Sequence, residues 1–283
     1  MNNPFLVTGP ALVSFSGGRT SAYMLWRILE AHGGVLPEDV RVAFANTGKE
    51  REETLRFVHE CSQRWGVRVH WLEWRDGKPG FEEVRYSSAA RNGEPFAALI
   101  AKKKRLPNWR ERWCTQNLKI APLNGLAVSF GWKPSTYTEV VGLRYDEGHR
   151  ILKGMANAER YGRKMSYPLS KSKVTKADVL EFWRAQDFDL GLEPWEGNCD
   201  LCFMKGRGIK KEIIRRDPNR ASWWIVQENS QKGKQDRGWF DRRDSVASLL
   251  AEVRQAPDIF DAFENEEYDA ECGLHCDFSE VRL

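Results

Sequence analysis

Between Ala11 and Glu73 the apolar positions change period repeatedly. Ala11–Ser16 is an almost unbroken apolar run, the mark of a strand covered on both faces. Ser21–Ala31 then sets Ala22, Met24, Leu25, Ile28 and Leu29 on one side of a helix. Val40–Asn46 is a second strand. Glu53–Trp65 is a second helix, carried by Leu55, Val58, Cys61 and Trp65. Val67–Glu73 alternates as a third strand. Strands separated by helices predict a parallel sheet with right-handed crossovers.

The pattern thins after that. Asp76–Arg112 is polar and basic, with one helix at Pro95–Lys104, and is expected to cover the carboxyl ends of the strands. A helix over Asn117–Gly131 ends on its glycine, Thr138–Leu143 is a fourth strand and Met165–Leu169 a short further one. Thr175 and Asp178 form a capping box that opens a helix over Lys176–Gln186. The chain changes character at Glu193: a Pro/Gly loop to Gly208, a Trp- and Arg-rich helical stretch over Ile209–Gln255, then an acidic end, Glu264–Asp277, with two cysteines and a histidine. The expected fold class is α/β, a parallel twisted sheet with flanking helices and a helical C-terminal extension. Residues 1–192 form the α/β domain, and 193–283 form a cysteine-bearing loop and extension packed on it.

Composition narrows the setting. Apolar residues make up 41% of the 283, enough for a core, yet no run approaches the length of a membrane span. The first residues lack a basic and apolar leader, so a soluble, cytoplasmic protein without membrane contact is expected. A formal charge of +4 permits nucleotide or nucleic-acid ligands without demanding them. In such a chain the six cysteines read as metal ligands, nucleophiles or buried residues rather than disulfides. Cys61, inside an amphipathic helix, reads as core.

The candidate chemistry begins where the first strand ends, in VSFSGGRTSAYM. Gly17 and Gly18 permit close backbone approach and positive φ. The following helix directs its N–H groups and positive dipole end at the same point, and Ser16, Thr20 and Ser21 add hydroxyls. The spacing is neither that of a P-loop nor a dinucleotide fingerprint. Without a P-loop lysine, positive charge must come from later segments. Arg144 follows a strand at the same edge of the sheet, and a guanidinium fork suits anionic oxygens.

SGGRTS resembles the pyrophosphate-binding PP-loop of ATP pyrophosphatases and phosphoadenosine phosphosulfate (PAPS) reductases. In the same order, NTGKEREETLRFV (Asn46–Val58) is similar to the family's strand-end Thr-Gly with its Glu-Thr helix start, and RWCTQNLKIAPL (Arg112–Leu123) to its Cys-then-Lys-x-x-Pro segment. GLRYDEGHR (Gly142–Arg150) resembles its Gly-x-Arg segment, and ECGLH (Glu271–His275) the signature bearing the catalytic cysteine of sulfonucleotide reductases. The resemblance implies an adenine nucleotide α-hydrolase-like fold. It implies a nucleotide bound by Ser14, Ser16, Gly17, Gly18, Arg19, Thr20 and Ser21, by Asn46, Thr47 and Gly48, and by Gly142 and Arg150. It implies catalytic roles for Lys119, Arg144 and Cys272.

Cys199 and Cys202 form a CxxC in a loop with no strand before it, a pair suited to a tetrahedral thiolate site of zinc or iron–sulfur and less so to a redox dithiol. The resemblance implies a [4Fe–4S] cluster with Cys114 as third ligand. Its iron–sulfur members carry adjacent cysteines at this point, whereas here Thr115 follows Cys114. The fourth ligand is then Cys276, with Cys272 as alternative.

Two enzymatic readings follow. In sulfonucleotide reduction a Cys272 thiolate attacks the sulfur of PAPS or adenosine phosphosulfate, and a thiol such as thioredoxin releases sulfite. In the other, an ATP pyrophosphatase with Mg²⁺ adenylates a nucleic-acid or small-molecule acceptor for thiolation, as the resemblance to DNA phosphorothioation subunits suggests. The basic, Trp-rich extension (Lys205–Arg216, Arg220–Trp224 and Arg237–Arg243) would meet a nucleic acid through phosphates and stacking. A non-catalytic nucleotide-binding module is the third reading, and a homo-oligomer is compatible with all three.

Overall fold

The computed structural model describes residues 3–232 and 238–255. The ECGLH segment, with Cys272, His275 and Cys276, lies outside the described residues.

Six strands form one sheet: β1 (Ala11–Ser14), β2 (Val40–Asn46), β3 (Val69–Trp74), β4 (Phe81–Val84), β5 (Thr138–Val141) and β6 (Lys164–Ser166), in the order β4-β3-β2-β1-β5-β6. All neighbours are parallel except β3 and β4. Ala11 lies level with Val40 on one side and Thr138 on the other. The chain therefore leaves β1 in one direction, toward β3, and returns to β5 on its other side. Strand order reverses between β1 and β5, and a crevice opens beyond their carboxyl ends, where open α/β sheets receive ligands.

Helices α1 (Arg19–Ala31), α2 (Glu52–Arg64), α3 (Glu94–Lys103), α4 (Trp113–Thr115), α5 (Ala121–Ser129), α6 (Gly148–Arg160), α7 (Pro168–Lys171), α8 (Lys176–Arg184), α9 (Arg207–Arg216), α10 (Arg220–Gln231) and α11 (Val246–Gln255) complete it. Along β1, Val13 enters one core with Met24, Ile28, Phe44, Val58 and Trp183, while its neighbour Leu12 enters another with Leu72, Leu123, Leu126 and Val141. Covered on both faces, the central strands have no polar side to show, and this is why they read as apolar runs. A third core joins Phe96, Leu99, Trp113 and Leu118 to Leu201, Ile213, Trp224, Phe240 and Leu249, so α9–α11 are bound to the rest of the chain through apolar packing. Among the described residues no helix is long and apolar enough to cross a membrane.

Four elements depart from the sequence expectation. The stretch expected to be mere cover contains β4, an antiparallel edge strand whose Glu82 and Glu83 are both exposed and pair with Arg75 and Arg68; charged edges resist pairing with other chains. α6 was unforeseen because its period is inverted: only Gly154 and Ala158 are buried, while Leu152 and Met155 are exposed. The strand expected at Met165–Leu169 is shorter and earlier, and the turn α7 starts at Pro168, which cannot donate to a ladder. The helix expected at Asn117–Gly131 begins at Trp113 and contains a π-helical turn, Gln116–Ile120. The capping box at Thr175 forms as expected, with Thr175 Oγ1 accepting from the Asp178 N–H and the Asp178 carboxylate accepting from the Thr175 N–H.

Candidate functional site

The glycine turn sits at the β1 end of the crevice. Gly17 has φ +80°, and a Cβ there would stand 2.7 Å from Thr54 Cγ2 and 3.0 Å from Val58 Cγ2, so the turn is pressed against α2. Gly18 is extended, at φ −95°, and serves as N-cap of α1 without any side-chain cap. The positive φ anticipated for both glycines therefore belongs to Gly17 alone. Ser16 Oγ donates to Ser21 Oγ at 2.9 Å, and Ser21 Oγ to the Gly18 carbonyl at 3.0 Å. The first N–H groups of α1 thus face the crevice with the helix dipole behind them. Ser14 lies below, within β1, level with Ala43 and Val141. The Arg19 guanidinium is drawn aside, with Nε 2.7 Å from Asp189 Oδ1 and Nη2 2.8 Å from the Leu192 carbonyl.

The β5 end brings the cation. A Cβ on Gly142 would stand 3.2 Å from Ser21 Cα, so the chain after β5 touches the start of α1. Arg144 then reaches across: Nη1 donates to Thr20 Oγ1 at 3.1 Å. The same guanidinium lies 3.1 Å from Asp146 Oδ1 and 3.5 Å from Glu147 Oε2, and Arg150 also pairs with Glu147. An anion entering here competes with two carboxylates for Arg144. The cleft is lined by Arg19, Thr20, Arg144, Lys176, Glu193 and Asn198.

The β2 end is bound to the cysteine turn. Asn46 donates to Glu73 Oε1 at 2.7 Å and to the Ala90 carbonyl, while its oxygen accepts the Gly48 N–H. Thr47 donates through N and Oγ1 to Glu50 Oε2, at 2.8 and 2.7 Å. A Cβ on Gly48, at φ +79°, would stand 3.0 Å from Gly93 Cα. Glu50 Oε1 lies 3.2 Å from Lys119 Nζ, which lies 3.9 Å from Cys199 Sγ. Lys119 stands on the π-helical turn, a feature frequent at functional sites. Glu50 and Cys199 form an antiparallel bridge, Asp200 N–H donates to the Lys49 carbonyl, and Asn198 Nδ2 donates to the Ser16 carbonyl at 2.9 Å. The CxxC is thereby fastened to both the glycine turn and the β2 loop.

Behind the turn, Lys205 is fully buried, and its ammonium donates to the carbonyls of Cys199 and Asp200. Burial pushes this amine down to about 8, against the pull of Cys202, Cys199 and Asp200. Cys202 is buried and Cys114 partly so, beside the third core. Among the described residues no three His, Cys, Asp or Glu side chains form a group able to hold a metal ion. The donor chemistry of Cys199 and Cys202 suits a thiophilic metal. In addition, Trp113 Nε1, next to Cys114 in the chain, is buried with no hydrogen-bond partner among the described residues and so calls for an acceptor there. Cys272 and Cys276 lie outside the described residues, so the set expected for the cluster is represented by Cys114, Cys199 and Cys202 alone.

Glu50, Asn198, Asp146, Glu147 and Lys205 were not among the residues singled out from sequence. Glu50, Asp146 and Glu147 lay inside quoted motifs. Asn198 adjoins the CxxC and Lys205 opens the basic extension, but their bonds to backbone carbonyls are visible only in the fold.

No protein-family profile matches the chain. It is 30% identical over 203 residues to the uncharacterized nin region protein ORF290 of Escherichia phage lambda, covering 69% of this chain and 66% of that protein. It is 23% identical over 239 residues to the uncharacterized protein MJ0066 of Methanocaldococcus jannaschii, covering 82% of this chain and 45% of that one. Among solved structures, the PAPS reductase of Candida auris, in a phosphate complex, superposes with a TM-score of 0.41 at 16% identity, covering 65% of this chain and 79% of that one. The U34-tRNA thiolase NcsA of Methanococcus maripaludis, with its [4Fe–4S] cluster, superposes with a TM-score of 0.39 at 13% identity, covering 88% and 73%. The chain thus spans about two thirds of the length of one curated relative and less than half of the other.

Proposed function

We propose that this chain is an enzyme of sulfur chemistry that binds an adenine nucleotide in the crevice between β1 and β5. Its phosphates, or a phosphate and sulfate, lie on the N-terminus of α1. The observation that carries this reading is the bond from Arg144 to Thr20 Oγ1 beside the uncapped start of α1, which sets a guanidinium and a helix dipole at one point of the strand-order reversal. The placement of a thiol, Cys199, 3.9 Å from Lys119 Nζ and on a turn bonded to Ser16 supports sulfur chemistry at the same place.

In the sulfonucleotide reading a Cys272 thiolate attacks the sulfate sulfur, the S–O bond to the nucleotide phosphate breaks, and a cysteine thiosulfonate forms. One thiolate of a dithiol such as thioredoxin then attacks the cysteine sulfur, the S–S bond to the sulfonate breaks and sulfite leaves; the second thiol opens the resulting mixed disulfide, freeing the Cys272 thiolate and leaving the dithiol oxidised to its disulfide. Arg144, Arg150 and Lys119 would neutralise the departing phosphate. A [4Fe–4S] cluster would need Cys114 drawn to the Cys199/Cys202 turn, since the structure does not bring these three thiols into one metal-holding group, with Cys276 or Cys272 as the further ligand; when bound it would supply a redox-active centre.

The second reading, ATP-dependent adenylation of an acceptor with Mg²⁺, is favoured by a cationic and aromatic cavity beside the cysteine turn. Anaerobic purification with iron and sulfide assays, followed by incubation with PAPS, adenosine phosphosulfate and ATP, separates the two. Sulfite release supports the first, and acceptor-dependent pyrophosphate release the second. Failure to bind any of the three nucleotides overturns both.

A further inference from the structure

A second cavity, of about 350 Å³, opens on the far side of the cysteine turn, within the usual range of small-ligand pockets (about 300–1,000 Å³). Its walls carry aromatic rings and cations, Trp109, Phe203, Phe240, Arg242 and Arg243, with Lys205 behind, and one carboxylate, Asp241, which pairs with Arg243 at 3.2 Å, so an anion must draw Arg243 away from it. Phe203 and Phe240 lie nearly parallel, 12° apart with centroids at 6.4 Å. Trp109 stands at the opening, 55% exposed, with the Arg110 guanidinium 4.8 Å over its ring. Trp239, the neighbour of Phe240, is 52% exposed. Arg242 is exposed, and the segment leading to Trp109 contains Lys102, Lys103, Lys104 and Arg105.

An exposed tryptophan costs free energy in water, and a chain that buries so many of its aromatic rings exposes these beside guanidinium groups. Aromatic faces in a cationic rim match one class of ligand, flat bases on an anionic backbone. The cavity wall is also continuous with the chemistry. Phe203 directly follows Cys202, and Lys205 bonds the wall to the carbonyls of Cys199 and Asp200. A base held here lies against the turn that carries the thiols, and that turn is fastened to the glycine turn through Asn198 and Ser16.

We propose that this cavity takes one unstacked base of a single-stranded nucleic acid, the acceptor of the reaction, with Trp109 stacking and Arg110, Arg242 and Arg243 on the flanking phosphates. The proposal deepens the ATP-dependent reading and rests on it for the word acceptor. The binding itself is independent of that reading. A duplex is a poor ligand because its bases are already stacked and paired.

The test uses the full chain and fluorescence anisotropy of labelled mixed-sequence DNA and RNA, each about 12 nucleotides long, within the site sizes usual for single strands. Single strands of one or both sugars bind, and the matching duplex binds at least about tenfold more weakly. Trp109→Ala lowers single-strand affinity about 10- to 100-fold, the loss of one stacked base, and Trp109→Phe restores most of it. The Arg242→Ala/Arg243→Ala pair flattens the salt dependence by roughly one to two phosphate contacts. Undiminished affinity in Trp109→Ala, or equal binding of duplex, heparin or an acidic peptide, overturns the proposal. Oligonucleotide binding without any ATP binding overturns the nucleotide reading and leaves this one standing.

Discussion

Lys119 Nζ lies 3.2 Å from Glu50 Oε1, and the side chain of Glu50 is wholly buried. A lysine expected to have a catalytic role is thus also a counter-ion for a buried carboxylate beneath the cysteine turn. Lys119→Met removes that charge and leaves Glu50 uncompensated, a change that costs about 3 kcal/mol or more in urea unfolding. Adding Glu50→Gln to it recovers most of the loss. Glu50→Gln alone keeps an oxygen for Thr47 and keeps Lys119, so it retains nucleotide affinity, whereas Lys119→Met loses about tenfold in a calorimetric titration. Equal affinity loss in the two single variants would assign Lys119 a structural role only.

Arg144 is held between Thr20 on the ligand side and Asp146 and Glu147 on the other. Arg144→Ala is expected to weaken nucleotide binding about 10- to 100-fold, as for a charge-assisted pair. Arg144→Lys recovers little, because an ammonium cannot serve Thr20 and an oxyanion with one planar fork. Asp146→Ala acts in the opposite sense: with one competing carboxylate gone, affinity rises severalfold. An unchanged affinity in Asp146→Ala would show that the anion does not draw Arg144 away from its acidic partners.

The central sheet was legible because its strands are covered on both faces, so Ala11–Ser14 and Val40–Asn46 stand out as apolar runs. Helix α6 was not, since it turns Gly154 and Ala158 inward and leaves Leu152 outside. At the site, the glycine turn and Arg144 were readable because each lies in a contiguous motif. What sequence could not give was their linkage to the cysteine turn. Asn198 and Ser16 are 182 residues apart, and the bond uses a backbone carbonyl, a group every residue carries. Lys205, expected as the start of a basic surface stretch, is instead buried, its partners being the carbonyls of Cys199 and Asp200.

Gly17 tests whether the turn's shape is fixed by packing. At φ +80°, with Thr54 Cγ2 2.7 Å from the position of a Cβ, Gly17→Ala meets both backbone strain and a clash against α2. Destabilisation of about 2–4 kcal/mol is expected from those two causes together. Thr54→Gly in the same chain removes the tightest contact but neither the strain nor the contacts of Val58 Cγ2 and Phe44 Cε2, at 3.0 and 3.1 Å, so it restores only part of the loss in chemical denaturation. Full restoration would mean that the left-handed backbone costs nothing here.

Glu228 offers a pH test in the third core, remote from the crevice. Its carboxylate accepts the N–H groups of Phe240 and Val246, at 3.3 and 2.9 Å, and burial pushes its pKa up from 4.5 to about 7 despite those bonds and the nearby Lys210 ammonium; Asp241 adds to the rise. An acid with a raised pKa in the folded state binds its proton more tightly when folded. Its contribution is therefore complete below about pH 4.5 and is lost as pH climbs through about 7. Glu228→Gln keeps an oxygen for the two N–H groups and cannot ionise. The difference in Tm between parent and variant should then fall steadily from pH 4.5 to pH 8 in favour of the variant, measured by calorimetry at constant ionic strength. A difference that is flat across this interval, or that grows in favour of the parent, would mean that Glu228 is already ionised in the folded protein at pH 5.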